Sequence, residues 1–102
     1  MKFDHIAINV KNIDTSVQWY IDNLNVEVLY KDDTWAVLES AGCKIALTLP
    51  SQHPPHIGFV IDEDFRKEKF SDKVFGKHRD GSLSYYAEDP DGNCIEYLIW
   101  PK

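Results

Sequence analysis

Positive charge is scarce in this chain. Eleven Lys and Arg stand against seventeen Asp and Glu in 102 residues, a formal charge of -6, and only two of the scattered cations are arginines. Phosphate backbones and anionic membrane surfaces bind through a basic footprint, so neither nucleic acid nor membrane is expected as a partner. Long apolar runs are missing too. No stretch approaches the ~18 residues of a membrane span, and no charged start leads into an apolar segment with a small-residue cleavage site, so a cytoplasmic protein is expected. Cysteine is rare. Cys43 and Cys94 lack CxxC spacing, which argues against a disulfide framework or a thiolate metal site and for reduced thiols buried in strands. The length suits one domain.

What is present is periodicity. Phe3 to Val10 alternates, with Ile6, Ile8 and Val10 on one face and Phe3, His5, Ala7 and Asn9 on the other, which predicts a strand carrying His5 on its less apolar side. From Asn12 the spacing of Ile13, Val17, Tyr20, Ile21 and Leu24 turns helical, with Asp14 or Thr15 as N-cap, and this helix is expected to pack on the Ile6 and Ile8 face. Three short strands follow, about Val26 to Tyr30, Trp35 to Glu39 and Cys43 to Leu49. The proline-bounded run 50–55 reads as a connector, because Pro disrupts a helix interior and a central strand. His53 within it is expected at the surface, and Trp19 and Trp35 are expected to pack or to lie in an interface.

Then the pattern restarts. His5-Ile6-Ala7-Ile8 is echoed by His56-Ile57-Gly58-Phe59, half a chain length later. A second helix is predicted from Glu63 to Lys73, capped by Asp62 and anchored by Phe65 and Phe70. Strands near Val74 to Arg79, Leu83 to Glu88 and Asn93 to Trp100 complete the echo. The expected fold class is α+β: two βαβββ modules, 1–50 and 56–102 with a linker at 50–55, forming one domain. A pseudo-twofold relates them, giving a cupped mixed sheet with the helices outside.

The last strand poses a question. Asp89-Pro90-Asp91-Gly92 reads as a tight turn, since Pro presets φ, Asp tolerates a bent backbone and Gly supplies positive φ. Beyond it Glu96 is a lone carboxylate between Cys94 and Leu98 in a strand apolar on both faces, and burying it without a partner costs several kcal/mol. The repeat aligns Gly42 to Leu47 with Gly92 to Tyr97, so Glu96 corresponds to Ala46, and the inward faces carry His5, His56 and Glu96 toward one point. Two imidazoles and one carboxylate leave open coordination positions, as in non-haem Fe(II) oxygenases, and suit Mn, Zn, Ni or Co as well. The alternative is two strand histidines bonded to backbone and a carboxylate in a solvated pocket. Equivalent repeat positions for the three favour the metal. Ala7, Asn9, Gly58, Leu98 and Trp100 share these faces and are expected to line a small, partly apolar substrate pocket.

On His5 in the opening strand, Trp19, Tyr20 and Leu24 in the first helix, His56 opening the second module, and Asp89-Pro90-Asp91-Gly92-Asn93 leading to Glu96, the chain resembles the glyoxalase, bleomycin resistance and dioxygenase superfamily, the vicinal oxygen chelate proteins. The resemblance covers essentially the whole chain. It implies a divalent metal on His5, His56 and Glu96, a small-molecule substrate with vicinal oxygens, dioxygenase-like or glyoxalase-like lyase and isomerase chemistry, and a homodimer whose ligands come from one chain or two. Ala46 stands where glyoxalase I has a fourth ligand, and methylmalonyl-CoA epimerase likewise takes a ligand from this strand, which weighs against both. Fosfomycin thiol transferases use three ligands but are expected to resemble the chain less past the final Glu, where they continue into a segment carrying basic substrate contacts. The extradiol dioxygenase signature is matched by Gly76, His78, Tyr86, Asp89, Pro90, Gly92 and Glu96, with Tyr85 departing from it. That match implies His78 as acid or base and Tyr86 as a hydrogen-bond donor to the metal-bound oxygen. A different class, a metal-free small-molecule binding protein of the bleomycin resistance type, would use the acidic charge to hold a cationic ligand. A dimeric scaffold with a vestigial site is the third reading.

Overall fold

The computed structural model describes residues 1–101. The elements run β1 (Lys2–Asn9), α1 (Ile13–Asn23), β2 (Glu27–Lys31), β3 (Trp35–Ser40), β4 (Cys43–Thr48), β5 (His56–Val60), α2 (Glu63–Phe70), β6 (Gly76–Lys77), β7 (Leu83–Glu88) and β8 (Cys94–Ile99). They form two compact units, one of His5–His56 and one of Met1–Asp4 with Ile57–Lys102, of which Lys102 lies outside the described residues.

In the first unit the strand order is β2-β3-β4-β1, with β1 parallel to β4 and the other pairs antiparallel. In the second it is β6-β7-β8-β5. Each half thus repeats one order, with strand and helix positions matched one for one. The echo in the sequence is a structural repeat, and the fold class is α+β.

Helix α1 is capped by Asn12, whose Oδ1 accepts from the Thr15 amide at 2.9 Å. This corrects the expectation of Asp14 or Thr15. Asn12 is still extended (φ -143°, ψ 123°), and a cap must sit outside the helical dihedrals to reach back to the first free N–H groups. Ile13 and Val17 bury against Ala36, Leu38 and Leu47, with Ile8 and Val10 of β1 packed alongside. Each such side chain contributes roughly 1.5–3 kcal/mol of apolar burial. Ile6 was expected under the helix and instead is 42% exposed, because the cluster sits over the carboxyl end of β1.

Helix α2 is capped by Asp62, which accepts from the Phe65 amide at 2.8 Å. It ends at Phe70 rather than Lys73, with Ser71 as its last cap. No residue of it is fully buried, and its hold on the sheet is aromatic: Phe70 meets Tyr97 at 4.7 Å and Tyr85 at 5.4 Å between ring centroids. The strand expected over 74–79 shrinks to Gly76–Lys77. Val74 is 90% exposed, and from His78 the chain turns, the His78 amide bonding Ser82 O and the Gly81 amide bonding His78 O.

Both cysteines are free, and they are less buried than expected: Cys43 is exposed and Cys94 half-buried. Cys43 starts β4 directly after the tight Ala41-Gly42 turn, where both residues have positive φ and the strand has only begun. Among the described residues, no helix is long and apolar enough to cross a membrane.

Candidate metal centre

His5 leaves β1 on the face opposite the helix-packed Ile8. His56 opens β5 and is buried. The two imidazoles meet edge to face, with Nε2 to Nε2 at 3.0 Å. The other nitrogen of His56 is committed: Nδ1 lies 2.8 Å from the Pro54 carbonyl. A carbonyl only accepts, so Nδ1 carries the proton and the neutral ring keeps its lone pair on Nε2. Metal-ligating histidines are held in this way, by a carbonyl on the far nitrogen that fixes tautomer and ring plane.

The spacing of the pair fits a metal. Two nitrogens each about 2.0–2.1 Å from one cation lie roughly 2.9 Å apart at a right angle and roughly 3.4 Å at the tetrahedral angle. The observed 3.0 Å falls in that range. Ala7 and Ala46 face each other across β1 and β4 on the same side as His5 and are both buried, so small side chains flank the pair. His53, expected at the surface, is half-buried with its ring 6.2 Å from that of His56. The connector folds back on β1, where Asn9 Nδ2 donates to His53 O.

In the second unit Glu96 is 5% exposed on β8, on the face away from the Phe70, Tyr85 and Tyr97 cluster. Its Oε2 accepts from Ser84 Oγ at 2.7 Å and from the Tyr86 hydroxyl at 2.9 Å, and His78 Nε2 stands 3.2 Å away. His78 Nε2 is also 2.8 Å from Ser84 Oγ. Ser84 gives its one proton to Glu96, so the His78 N–H is the donor that Ser84 and Glu96 share. These donors favour the ionised carboxylate. Burial first, then the Glu96 charge and the hydrogen bond to it, hold the Tyr86 phenol well above its usual range. Burial, then the charges of Glu96 and Glu88, also push the Cys94 thiol up.

Of the residues expected at a site, the structure brings His5 to His56 and brings His78 and Tyr86 to Glu96. Ser84 was missed. Its signal was available, since Ser84 and Tyr86 form one face of β7 while Leu83 and Tyr85 form the other. Of the expected pocket residues, Ala7, Gly58 and Leu98 are buried. The Asn9 amide is engaged with Thr48 and His53. Trp100 lies past the end of β8 and is 53% exposed.

The turn before β8 has the expected form. Gly92 adopts φ 85°, and Asp89 Oδ1 accepts from the amides of Asp91 at 2.9 Å and Asn93 at 2.8 Å, while Asn93 Nδ2 donates to Oδ2.

A model of the Glyoxalase/Bleomycin resistance protein/Dioxygenase superfamily matches residues 2–97. Curated relatives include the metallothiol transferase FosB of Staphylococcus epidermidis, 34% identical over 110 residues covering 91% of this chain and 78% of that protein. That of Staphylococcus haemolyticus is 31% identical, with 91% and 79% covered. Among solved structures, methylmalonyl-CoA epimerase from Mycobacterium tuberculosis superposes with a TM-score of 0.77 at 16% identity, over 99% of this chain and 89% of that one. A variant of the Streptomyces coelicolor epimerase gives 0.74 at 20% identity, over 100% and 99%. The structural likenesses show the fold. The sequence likenesses cover 91% of the chain and give weight to a relation with metallothiol transferases that the sequence by itself ranks low.

Proposed function

Since the chain belongs to the glyoxalase, bleomycin resistance and dioxygenase superfamily, we propose that it is a divalent-metal-dependent enzyme of small molecules with His5, His56 and Glu96 as its protein ligands. The observation that carries the reading is the 3.0 Å separation of the His5 and His56 Nε2 atoms, with the far nitrogen of His56 held by Pro54. Support for Glu96 as the third ligand comes from its place in the repeat, its burial and the donors gathered on one of its oxygens.

A divalent cation held by these residues would supply Lewis acidity and stabilise negative charge developing on substrate oxygens. The chain's own residues set the frame for this. His5 and His56 present neutral imidazole nitrogens, Ser84, Tyr86 and His78 keep Glu96 ionised and aimed, and Ala7, Ala46 and Gly58 leave room. In this arrangement His78 and Tyr86 orient a ligand.

The reaction class we assign is transfer of a thiol to an electrophilic small molecule, supported by 34% identity with a metallothiol transferase. The new C–S bond forms as the thiol loses its proton and a C–O bond of the acceptor breaks, with its electron pair passing to oxygen. Ring-cleaving dioxygenase chemistry would use the same three ligands, whereas glyoxalase-type lyase chemistry would lack the fourth ligand at Ala46. We place the protein in the cytoplasm, where its two free thiols stay reduced, and as a homodimer; the exposed Val28, Leu29 and Tyr30 on the edge strand β2 support pairing of two copies.

Elemental analysis of protein purified without a histidine tag should find a stoichiometric divalent metal that is lost in His5→Ala and Glu96→Ala. Retention of metal by both variants sinks the ligand assignment. Absence of metal together with tight binding of a basic aromatic compound would establish the metal-free alternative. Consumption of free thiol with an oxygen-bearing electrophile supports the reaction class. Cleavage of a catechol, or isomerisation of a thiohemiacetal, without thiol consumption overturns it.

A further inference from the structure

Asn9 lies four residues after His5 on the same face of β1, where a pocket-lining role was expected of it. Its hydrogen bonds point to another task. Nδ2 donates to the His53 carbonyl at 2.9 Å and to Thr48 Oγ1 at 3.0 Å, with the Thr48 carbonyl at 3.4 Å. Two carbonyls converge on this atom, and only an N–H can meet them, so the partners themselves set the orientation of the amide.

The His53 carbonyl belongs to the peptide that leads into Pro54. Pro54 in turn offers the carbonyl on which His56 Nδ1 rests at 2.8 Å. Pro54 and Pro55 have locked φ, so the segment from His53 to His56 is stiff and moves as one piece. Its upstream end is tied locally, by the Gln52 amide to Leu49 O at 2.9 Å. The segment meets β1 at both ends: His56 through its ring contact with His5 at 3.0 Å, and His53 through the bond that its carbonyl accepts from Asn9.

We propose that Asn9 is a positioning residue: by fastening the His53 carbonyl to β1, it keeps the Pro54 carbonyl at His56 Nδ1 and so keeps the lone pair of His56 on Nε2, facing His5. The consequence for metal affinity rests on the metal reading above, whereas the tautomer of His56 does not. Released from Asn9, the proline segment shifts. The buried Nδ1–H then loses its acceptor, which favours moving the proton to Nε2, the atom that would have to bind.

The test is long-range ¹⁵N–¹H correlation of the histidine rings in chelator-treated protein at about pH 8.5, above the usual imidazole range. Wild type, Asn9→Ala, Asn9→Ser and Thr48→Val are compared, and zinc affinity is measured by competition with a chromogenic chelator. Wild type and Thr48→Val should show His56 as the Nδ1–H tautomer, because Thr48→Val leaves the bond to His53 intact. Asn9→Ala should shift the His56 resonances toward the Nε2–H form and weaken zinc binding about 10-fold or more. A general loss of stability would lower the melting temperature without moving the tautomer. Asn9→Ser keeps a hydroxyl too short to reach His53 and serves if Asn9→Ala does not fold. An unchanged His56 tautomer in a folded Asn9 variant overturns the proposal. Wild-type protein that binds no zinc overturns the metal reading, and the tautomer comparison then decides the role of Asn9 by itself.

Discussion

The Ser84 hydroxyl donates to Glu96 Oε2 across 2.7 Å, although the residue directly opposite Glu96 on β7 is Tyr86. The bond is diagonal, and it works because a serine is short while a glutamate is long enough to lean two residues along the sheet. With Tyr86 bonding the same oxygen, one carboxylate oxygen is held from two points of one strand. Replacing Ser84 by Ala leaves a buried ionised oxygen short of a donor, which costs about 1.5–3 kcal/mol. For a chain of this size each kcal/mol lowers the melting temperature by about 4–8 °C, readable by circular dichroism. Ser84→Thr should recover most of the loss. A Ser84→Ala protein as stable as wild type would show that the bond contributes nothing.

Tyr86 should resist alkali. Burial and the Glu96 charge raise its value in the folded state, so folding binds this proton more tightly than the unfolded chain does. Its contribution is complete below about pH 10, the usual phenol range, and is lost as pH rises beyond it. In chelator-treated protein, wild type and Tyr86→Phe should therefore gain the same tyrosinate absorbance up to about pH 11 while folded. One extra tyrosinate in the wild type would refute the shielding.

Asp89 should matter less in acid. Its hydrogen bonds, first from the Asn93 side chain and then from backbone amides, hold the carboxyl below the usual carboxylate range. A depressed folded value contributes stability above about pH 4 that disappears as pH falls. Asp89→Asn keeps an oxygen acceptor but loses the charge. Its melting temperature should lie below wild type at neutral pH, and the gap should close toward pH ~3; a gap independent of pH would rule out the ionised form as the cause.

Gly92→Ala isolates a backbone effect. Gly92 has φ 85°, and a Cβ there would meet nothing within 4 Å, so crowding plays no part. The left-handed conformation alone should cost about 1–2 kcal/mol, and Gly92→Asn less, measured by urea unfolding with an unchanged slope.

Leu38 and Leu47 are fully buried at the centre of the first unit, on adjacent β3 and β4 under α1. Truncating either to Ala should cost about 2–5 kcal/mol, the spread depending on how far the cluster collapses into the cavity. Leu29→Ala, on the exposed edge strand β2, should lie within about 0.5 kcal/mol in the monomer. Equal losses at Leu38 and Leu29 would contradict the core described above.

Much of this protein was legible in its sequence because the signals were local or periodic. Alternation along β1, helical spacing from Ile13, the Asp62 cap and the turn at Asp89 to Gly92 depend on neighbouring dihedrals and on which way successive side chains point. The echo of His5 in His56 needed only counting, and it revealed the repeat and matched Glu96, already conspicuous in an apolar strand, with Ala46. Local signals failed where competition was close: Asn12 won the cap over Asp14 and Thr15, and β6 shortened to two residues because the His78–Gly81 turn takes the backbone bonds that a longer strand would need.

What only the tertiary structure decided is the set of side chains and carbonyls that hold the candidate ligands. Ser84 reaches Glu96 through strand register, Pro54 reaches His56 through the stiff path of the connector, and Asn9 reaches His53 across 44 residues of sequence. No period in the sequence encodes such pairings. They arise when register and loop path bring a donor within 3 Å of an acceptor, and that is fixed only once the strands have paired.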